Sequence, residues 1–233
     1  YKRQIPDNCG GEGMKIQPRR SFIFSPGLRP DMFPKALASG ADIVCVELED
    51  GIAPKDKDEA RDKGLALFEQ PQADDGIERI VRINCLRTRF GVDDVRMVLG
   101  MATPPPALML PKVLSPEEII WLDDLMTEQG LSTRLHIIIE TNAALEVAYD
   151  IARSSERIDA LFFGGVDMAA DLRCKNAWEP LLYARSRVVH AAAAAAGDRD
   201  GACCSAAAGA VPSDDPLRIR AADPGRAAPE DDA

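Results

Sequence analysis

Short apolar runs alternate with charged, helix-periodic stretches along most of the chain. Ser21 to Ser25 reads as a first strand and Arg29 to Ser39 as a helix after a Pro-Gly turn. Ile43 to Leu48 is a second strand, followed by a helix over Asp56 to Phe68. The third unit is a strand over Arg79 to Asn84 and a helix over Asp93 to Met101. The fourth pairs Ala107 to Val113 with Ser115 to Gln129, where Ser, Pro and two acids make a good helix start. Leu135 to Glu140 with Ala143 to Ser154 is the fifth, and Ala160 to Gly164 with Pro180 to Ala196 the sixth. Such β-then-α units imply parallel strands joined by crossover helices. A (β/α)8 barrel predicts eight units in about 250 residues, and here the count stops at six. A doubly wound open sheet is the alternative, but no GxGxxG follows a strand.

The ends break the pattern. Residues 1–19 are polar, lack the apolar core of a signal peptide, and read as a disordered leader. Met14 offers a start inside it. Residues 198–233 are dense in Ala, Asp, Arg, Gly and Pro, with no aromatic residue and only Val211, Leu217 and Ile219 as large aliphatics. Such a segment buries too little surface to offset its ordering entropy. It reads as a low-complexity, disordered tail, or as a reading frame lost near Gly197. The domain is therefore expected over residues 20–197.

Composition narrows the function classes. The chain has 233 residues, 46% of them hydrophobic, enough for a substantial core. A net charge of -10 argues against nucleic acid or an anionic membrane as partner. No apolar run reaches the roughly 20 residues of a membrane span. The six cysteines are irregularly spaced and form no CxxC pair, so neither a zinc site nor a disulfide framework is expected. A reducing cytoplasm is the simple reading.

Candidate chemistry gathers at the strand ends. Glu47 and Glu49 share one face of Val44-Cys-Val-Glu-Leu-Glu by the period of two. Arg82 and Asn84 share a face of the next strand; Lys112, Glu140 and Asp167 end or follow the fourth, fifth and sixth. On a parallel barrel these meet at one mouth. Any one of them reads equally well as a solvated loop residue or half of an ion pair; the repetition on successive units favours a site. Hard carboxylate oxygens without nearby His or Cys suit Mg²⁺, with Glu140 and Asp167 as the ligand pair. Glu47 and Glu49 are placed to order waters around it, and Arg82 to hold a substrate carboxylate bidentately. Arg82 and Glu49 are taken as the catalytic candidates. Arg19, Arg20, Phe24, Arg29 and Lys35 cluster in sequence around the first strand, where basic side chains can hold phosphates. His136 and His190 have no partner at ligand spacing and read as structural.

Together the segments resemble the HpcH/HpaI aldolase and citrate lyase β-subunit family. The matching stretches are Arg20-Ser-Phe-Ile-Phe-Ser-Pro-Gly-Leu-Arg-Pro30, Lys35 to Asp42, Leu48-Glu-Asp-Gly-Ile-Ala-Pro54, Val81-Arg-Ile-Asn84, Leu110-Pro-Lys-Val113, Ile139-Glu140 and Gly164 to Leu172. The resemblance implies a TIM-barrel lyase that needs Mg²⁺, here an incomplete barrel lacking its last two units. It implies metal ligation by Glu140 and Asp167 and substrate-carboxylate binding by Arg82. It also implies CoA contacts from Phe24, Arg29 and Lys35, and a pocket wall at Val166. The implied reaction is reversible C–C cleavage of a 3-hydroxyacyl-CoA, of malyl-, citramalyl- or citryl-CoA type, to a short acyl-CoA and a 2-oxo acid. A CoA-independent 2-oxo-acid aldolase, or an inactive truncated member, are the alternatives. A homo-oligomer of trimer type is implied once the barrel is complete. Glu47 stands where the family more often has Asp. The family's Gly-Lys…Ile-His-Pro segment and its acid offered to a neighbouring subunit have no counterpart, so the general base is not assigned within this chain.

Overall fold

The computed structural model describes residues 19–70, 72–197 and 205–208. Seven strands form one parallel sheet in the order β1 to β7: β1 Phe22–Pro26, β2 Ile43–Glu47, β3 Glu78–Arg82, β4 Ala107–Leu110, β5 Arg134–Ile139, β6 Ile158–Phe163 and β7 Ser205–Ala208. Sequential order has no point where the winding reverses, which rules out a doubly wound sheet. The helices between strands are α1 Phe33–Leu37, α2 Lys57–Ala66, α3 Arg89–Leu99, α4 Pro116–Glu128, α5 Asn142–Glu146, α6 Ala148–Ala152, α7 Gly165–Leu172 and α8 Trp178–Gly197.

Alternation along each strand makes two cores. Val44, Val46, Val81, Leu108, Leu110, Ile137, Ile139 and Leu161 point outward against Ala60, Leu65, Val95, Ile119, Leu122, Ile151 and Val188 of the helices. A fully buried Val, Leu or Ile contributes about 1.5–3 kcal/mol, so this layer carries most of the stability. The intervening residues, Ile43, Cys45, Ile80, Ala107, Met109, Ile138, Ala160 and Phe162, point inward with Phe22 packed on them. The Phe22 and Phe162 rings lie 5.8 Å apart although β1 and β6 are five places apart in the sheet. The sheet is thus curled in TIM-barrel fashion, with side chains filling its interior. Among the described residues no pairing joins β7 to β1.

Several elements depart from the sequence reading. Ser205–Ala208, inside the segment read as a structureless tail, pairs in parallel with β6 from Ala160 to Phe163. Small residues with low strand propensity hide such a strand; its backbone finds partners on the exposed edge of β6. The rest of that tail and the leader up to residue 18 lie outside the described residues. The first helix is a single 3-10 turn, Pro30–Met32, followed by the short α1. The expected helix over Ala143 to Ser154 is two, broken at Val147 with φ -107° and ψ 20°. α7 was not expected, because Gly164-Gly165 reads as a turn. Thr88 rather than Asp93 opens α3, its hydroxyl accepting from the Gly91 N–H.

Candidate active site

The C-terminal ends of β2 to β6 bring five carboxylates and two cations to one mouth. Register sets the first contact: Glu47 pairs with Arg82 across β2 and β3. Both side chains face inward, so Arg82 Nε donates to Glu47 Oε2 at 2.6 Å. The other Glu47 oxygen accepts from the Glu49 N–H at 2.5 Å, which turns the chain so that Glu49 also faces in. Glu49 Oε2 is buried with no hydrogen bond, Arg82 Nη1 standing 3.6 Å away. Behind the turn, the buried Lys57 donates Nζ to the carbonyls of Leu48 (3.0 Å) and Glu49 (2.6 Å). A second buried brace lies under β3. Asp94 accepts from Arg61 Nε (2.6 Å), the Asn84 N–H (2.8 Å) and Asn84 Nδ2 (2.7 Å).

Lys112, just beyond β4, reaches across the mouth. Its ammonium contacts Glu49, donates to Asp50 at 2.6 Å, and lies 3.6 Å from Asp167 at the start of α7. Its N–H donates to Glu140 Oε1 at 2.7 Å. Its backbone is left-handed, with φ 53°. Gly164 makes room for Glu140: a Cβ there would fall 2.4 Å from Glu140 Oε2.

The electrostatics are unbalanced. Burial, then the charges of Asp167 and Glu49, push the Glu140 carboxyl up to about 7 against the Lys112 N–H. Burial also raises Glu49, although Lys112 and Arg82 pull against it. Burial would lower Lys112, but Asp50 and Glu49 outweigh it and hold the amine above its ordinary value. Five carboxylates against two cations, and a buried Glu49 oxygen without a hydrogen bond, fit a hard divalent cation held by oxygen ligands. Glu140 and Asp167, close enough for the charge of one to raise the other, could hold such an ion.

The other predicted residues are distributed as follows. Phe24, 42% exposed, lies against Arg82, whose Cζ is 4.5 Å from the ring centroid. Arg29 stands on the β1–α1 connection, its guanidinium held by Asp31 at 2.9 and 2.8 Å. Lys35 is exposed on α1, and Val166 is 71% exposed on α7. Arg29 and Val166 follow the C-terminal ends of β1 and β6 closely and so stand on the same rim; among the described residues neither they nor Lys35 show a hydrogen bond to the carboxylate cluster. Arg19 and Arg20 do not join them. Arg19 precedes β1 at the opposite end of the barrel and grips Glu78 at 2.6 and 2.9 Å. Arg20 pairs there with Asp42 at 3.1 Å. Phosphate binding by a group that includes these two is excluded by the strand direction.

His136 also has partners that its own sequence neighbourhood hides. Fully buried, it places Nε2 3.0 Å from Glu78 Oε1, with Asp159 in the same cluster. Arg134 holds Asp159 at 2.5 and 3.0 Å, and Arg19 holds Glu78. Two guanidiniums already match these two carboxylates, so a divalent ion would carry uncompensated charge there. Asp50 and Lys57 escaped the sequence reading; a buried lysine in the first turn of a charged helix looks like a surface one.

The family model for HpcH/HpaI aldolase/citrate lyase matches residues 20–202. The chain belongs to this family. It is 34% identical over 165 residues to the L-malyl-CoA/beta-methylmalyl-CoA lyase of Cereibacter sphaeroides (strain ATCC 17025 / ATH 2.4.3), covering 67% of this chain and 51% of that one. It is 33% identical over 190 residues to the citrate lyase subunit beta of Escherichia coli K12, covering 78% and 62%. The chain thus spans about half to three fifths of the length of these relatives. The protein CitE from Mycobacterium tuberculosis, solved with magnesium, acetoacetate and coenzyme A, superposes with a TM-score of 0.64 at 26% identity. That match covers 82% of this chain and 67% of CitE. The HpcH/HpaI aldolase/citrate lyase match begins at Arg20 and takes in every residue of the rim described above.

Proposed function

We propose that this chain carries the active-site rim of a Mg²⁺-dependent carbon–carbon lyase that splits a 3-hydroxyacyl-CoA into a short acyl-CoA and a 2-oxo acid. The observation that carries it is the pairing of a cation-hungry carboxylate cluster with an inward-facing arginine. Lyases of malyl-CoA and citrate type are among its relatives, and a magnesium and coenzyme A complex is among its structural neighbours. Glu140 and Asp167 would hold the metal, which when bound would supply Lewis-acid polarisation of the 2-oxo-acid half and lower the cost of negative charge on its oxygen.

The chain's own residues do the rest. Arg82 is fixed through Nε by Glu47, so its remaining donors present a preset fork to a substrate carboxylate. Phe24 covers the guanidinium and keeps water from one of its faces. Glu49 offers Oε2, buried and without a hydrogen bond, as an acceptor that orients the substrate hydroxyl or a water. In cleavage the hydroxyl proton leaves to a base, the C–C electron pair passes to the thioester α-carbon, and the carbonyl of the 2-oxo acid forms. The enolate then takes a proton to become the acyl-CoA. In this reading Phe24, Arg29 and Lys35 contact the CoA arm and Val166 lines the substrate pocket; a CoA phosphate would have to draw Arg29 away from Asp31. The free thiols Cys45, Cys85 and Cys174 support a cytoplasmic location. Among the described residues no helix is long and apolar enough to cross a membrane. With the barrel completed, the assembly in this reading is a trimer-type homo-oligomer, which sedimentation would test.

The deciding experiment incubates the chain with Mg²⁺ and malyl-, citramalyl- or citryl-CoA and follows 2-oxo acid by mass spectrometry. Release abolished by EDTA is expected. Cleavage of free hydroxy acids without CoA would replace this reading with a CoA-independent aldolase. A folded chain that binds Mg²⁺ yet releases nothing would contradict lyase activity in this chain.

A further inference from the structure

Lys112 is held in a conformation its residue type disfavours. A left-handed backbone at φ 53° is uncommon for any residue with a Cβ, and such strain persists only where the surroundings over-determine it. Here both sides of the residue are pinned. Its N–H donates to Glu140 Oε1 at 2.7 Å. Its carbonyl accepts from Arg87 Nη2 at 2.8 Å, and Arg87 is itself anchored to Glu118 at 2.6 Å. The pinned backbone aims the side chain from the end of β4 back across the mouth, where the ammonium contacts Glu49, meets Asp50 at 2.6 Å and stands 3.6 Å from Asp167. Arg82 reaches Glu47 and Glu49 from the other side, leaving Asp50 and Asp167 to Lys112 among the described residues.

We propose that Lys112 is the site's internal counter-ion: its ammonium holds Glu49, Asp50 and Asp167 together until a divalent cation takes its place. The inference rests on the cation-site reading above. Like charges this close repel, and Glu49, the buried one of the three, is costly without a partner. A tethered cation solves both problems without closing the site, because one flexible side chain can swing out while its backbone keeps hold of Glu140. Lys112 is a positioning residue in this account, acting through the carboxylates. It also competes with the ion it prepares for, so its charge sets how tightly that ion binds.

The test is calorimetric titration of MgCl₂ into the wild-type chain, Lys112→Met, Lys112→Arg and Lys112→Gly, with melting curves in EDTA and in Mg²⁺. Removing one competing charge should tighten Mg²⁺ binding about tenfold in the Met and Gly variants. The Arg variant should stay near wild type. Lys112→Met should melt lower than wild type in EDTA and gain more from Mg²⁺. A residue that merely filled a left-handed turn would behave otherwise: Lys112→Gly would relieve the strain and leave Mg²⁺ affinity unchanged. Unchanged or weaker binding in both the Met and Gly variants, beside a wild type that binds, overturns the counter-ion role alone. A folded wild type that takes up no Mg²⁺ overturns the cation site and the counter-ion with it.

Discussion

The two ends of the barrel use the same residue types to opposite effect. At the N-terminal end, Glu78 and Asp159 are matched by Arg19 and Arg134, with the buried His136 beside Glu78. Burial would raise the Glu78 carboxyl, but contacts from His136 and Arg19 outweigh it and bring it down to about 2. At the C-terminal end, burial and neighbouring acids drive Glu140 up to about 7. Charge balance, rather than the presence of acids, separates a brace from a site. A matched cluster stabilises the fold; an unmatched one waits for a cation or a substrate.

The largest expected effect breaks the C-terminal end. Glu140→Ala or Asp167→Ala should weaken Mg²⁺ binding more than about a hundredfold, beyond the ten- to hundredfold of an outer-shell change. Calorimetry would read it, and undiminished affinity would remove these residues from the metal. Gly164→Ala should act on the same carboxylate by crowding, since the new methyl would sit 2.4 Å from Glu140 Oε2. We expect roughly tenfold weaker Mg²⁺ binding and a stability loss of about 1–3 kcal/mol. A variant that melts and binds like wild type would show that Glu140 is free to move aside.

The N-terminal end should respond in stability alone. Glu78→Gln leaves Arg19 buried and half-paired, at a cost of about 3 kcal/mol in denaturant unfolding, with Mg²⁺ affinity unchanged. A change in Mg²⁺ affinity would mean that the two ends are coupled.

The pH signatures should have opposite sign. Glu78 is depressed in the fold from 4.5 to about 2. Its contribution is therefore present above its ordinary value and is lost as pH falls through 4.5 toward 2. Glu140 is raised from 4.5 to about 7. Between those values the unfolded chain has released a proton that the fold retains, so metal-free stability falls as pH rises through that window. Glu140→Gln should therefore stabilise the metal-free chain at pH 8 by about 2–3 kcal/mol and do little at pH 4. Equal denaturation curves for wild type and Glu140→Gln at pH 8 would mean that the carboxylate is not strained.

Much of the C-terminal end was legible in the chain because it follows from local rules. Period-two alternation put Glu47 and Glu49 on one face, and parallel β/α units put Arg82, Lys112, Glu140 and Asp167 at equivalent strand ends. The N-terminal cluster was not legible. His136 meets Glu78 and Asp159 only through the register of separate strands, and Arg19 joins by running opposite to the group it resembles in sequence. The left-handed turn at Lys112 was hidden too, because its hydrogen bonds come from Glu140 and Arg87 on other units. α7 and β7 were obscured by glycine and alanine, whose propensities say little once neighbouring strands offer backbone partners.

The measurement that bears most directly on the central claim is a pair of calorimetric titrations of MgCl₂, into the wild-type chain and into Asp167→Ala. Saturable binding in the first, lost in the second while its melting curve in EDTA is no worse, is the expected result. Equal binding in both, or none in a folded wild type, would contradict a cation site at the C-terminal mouth of this barrel.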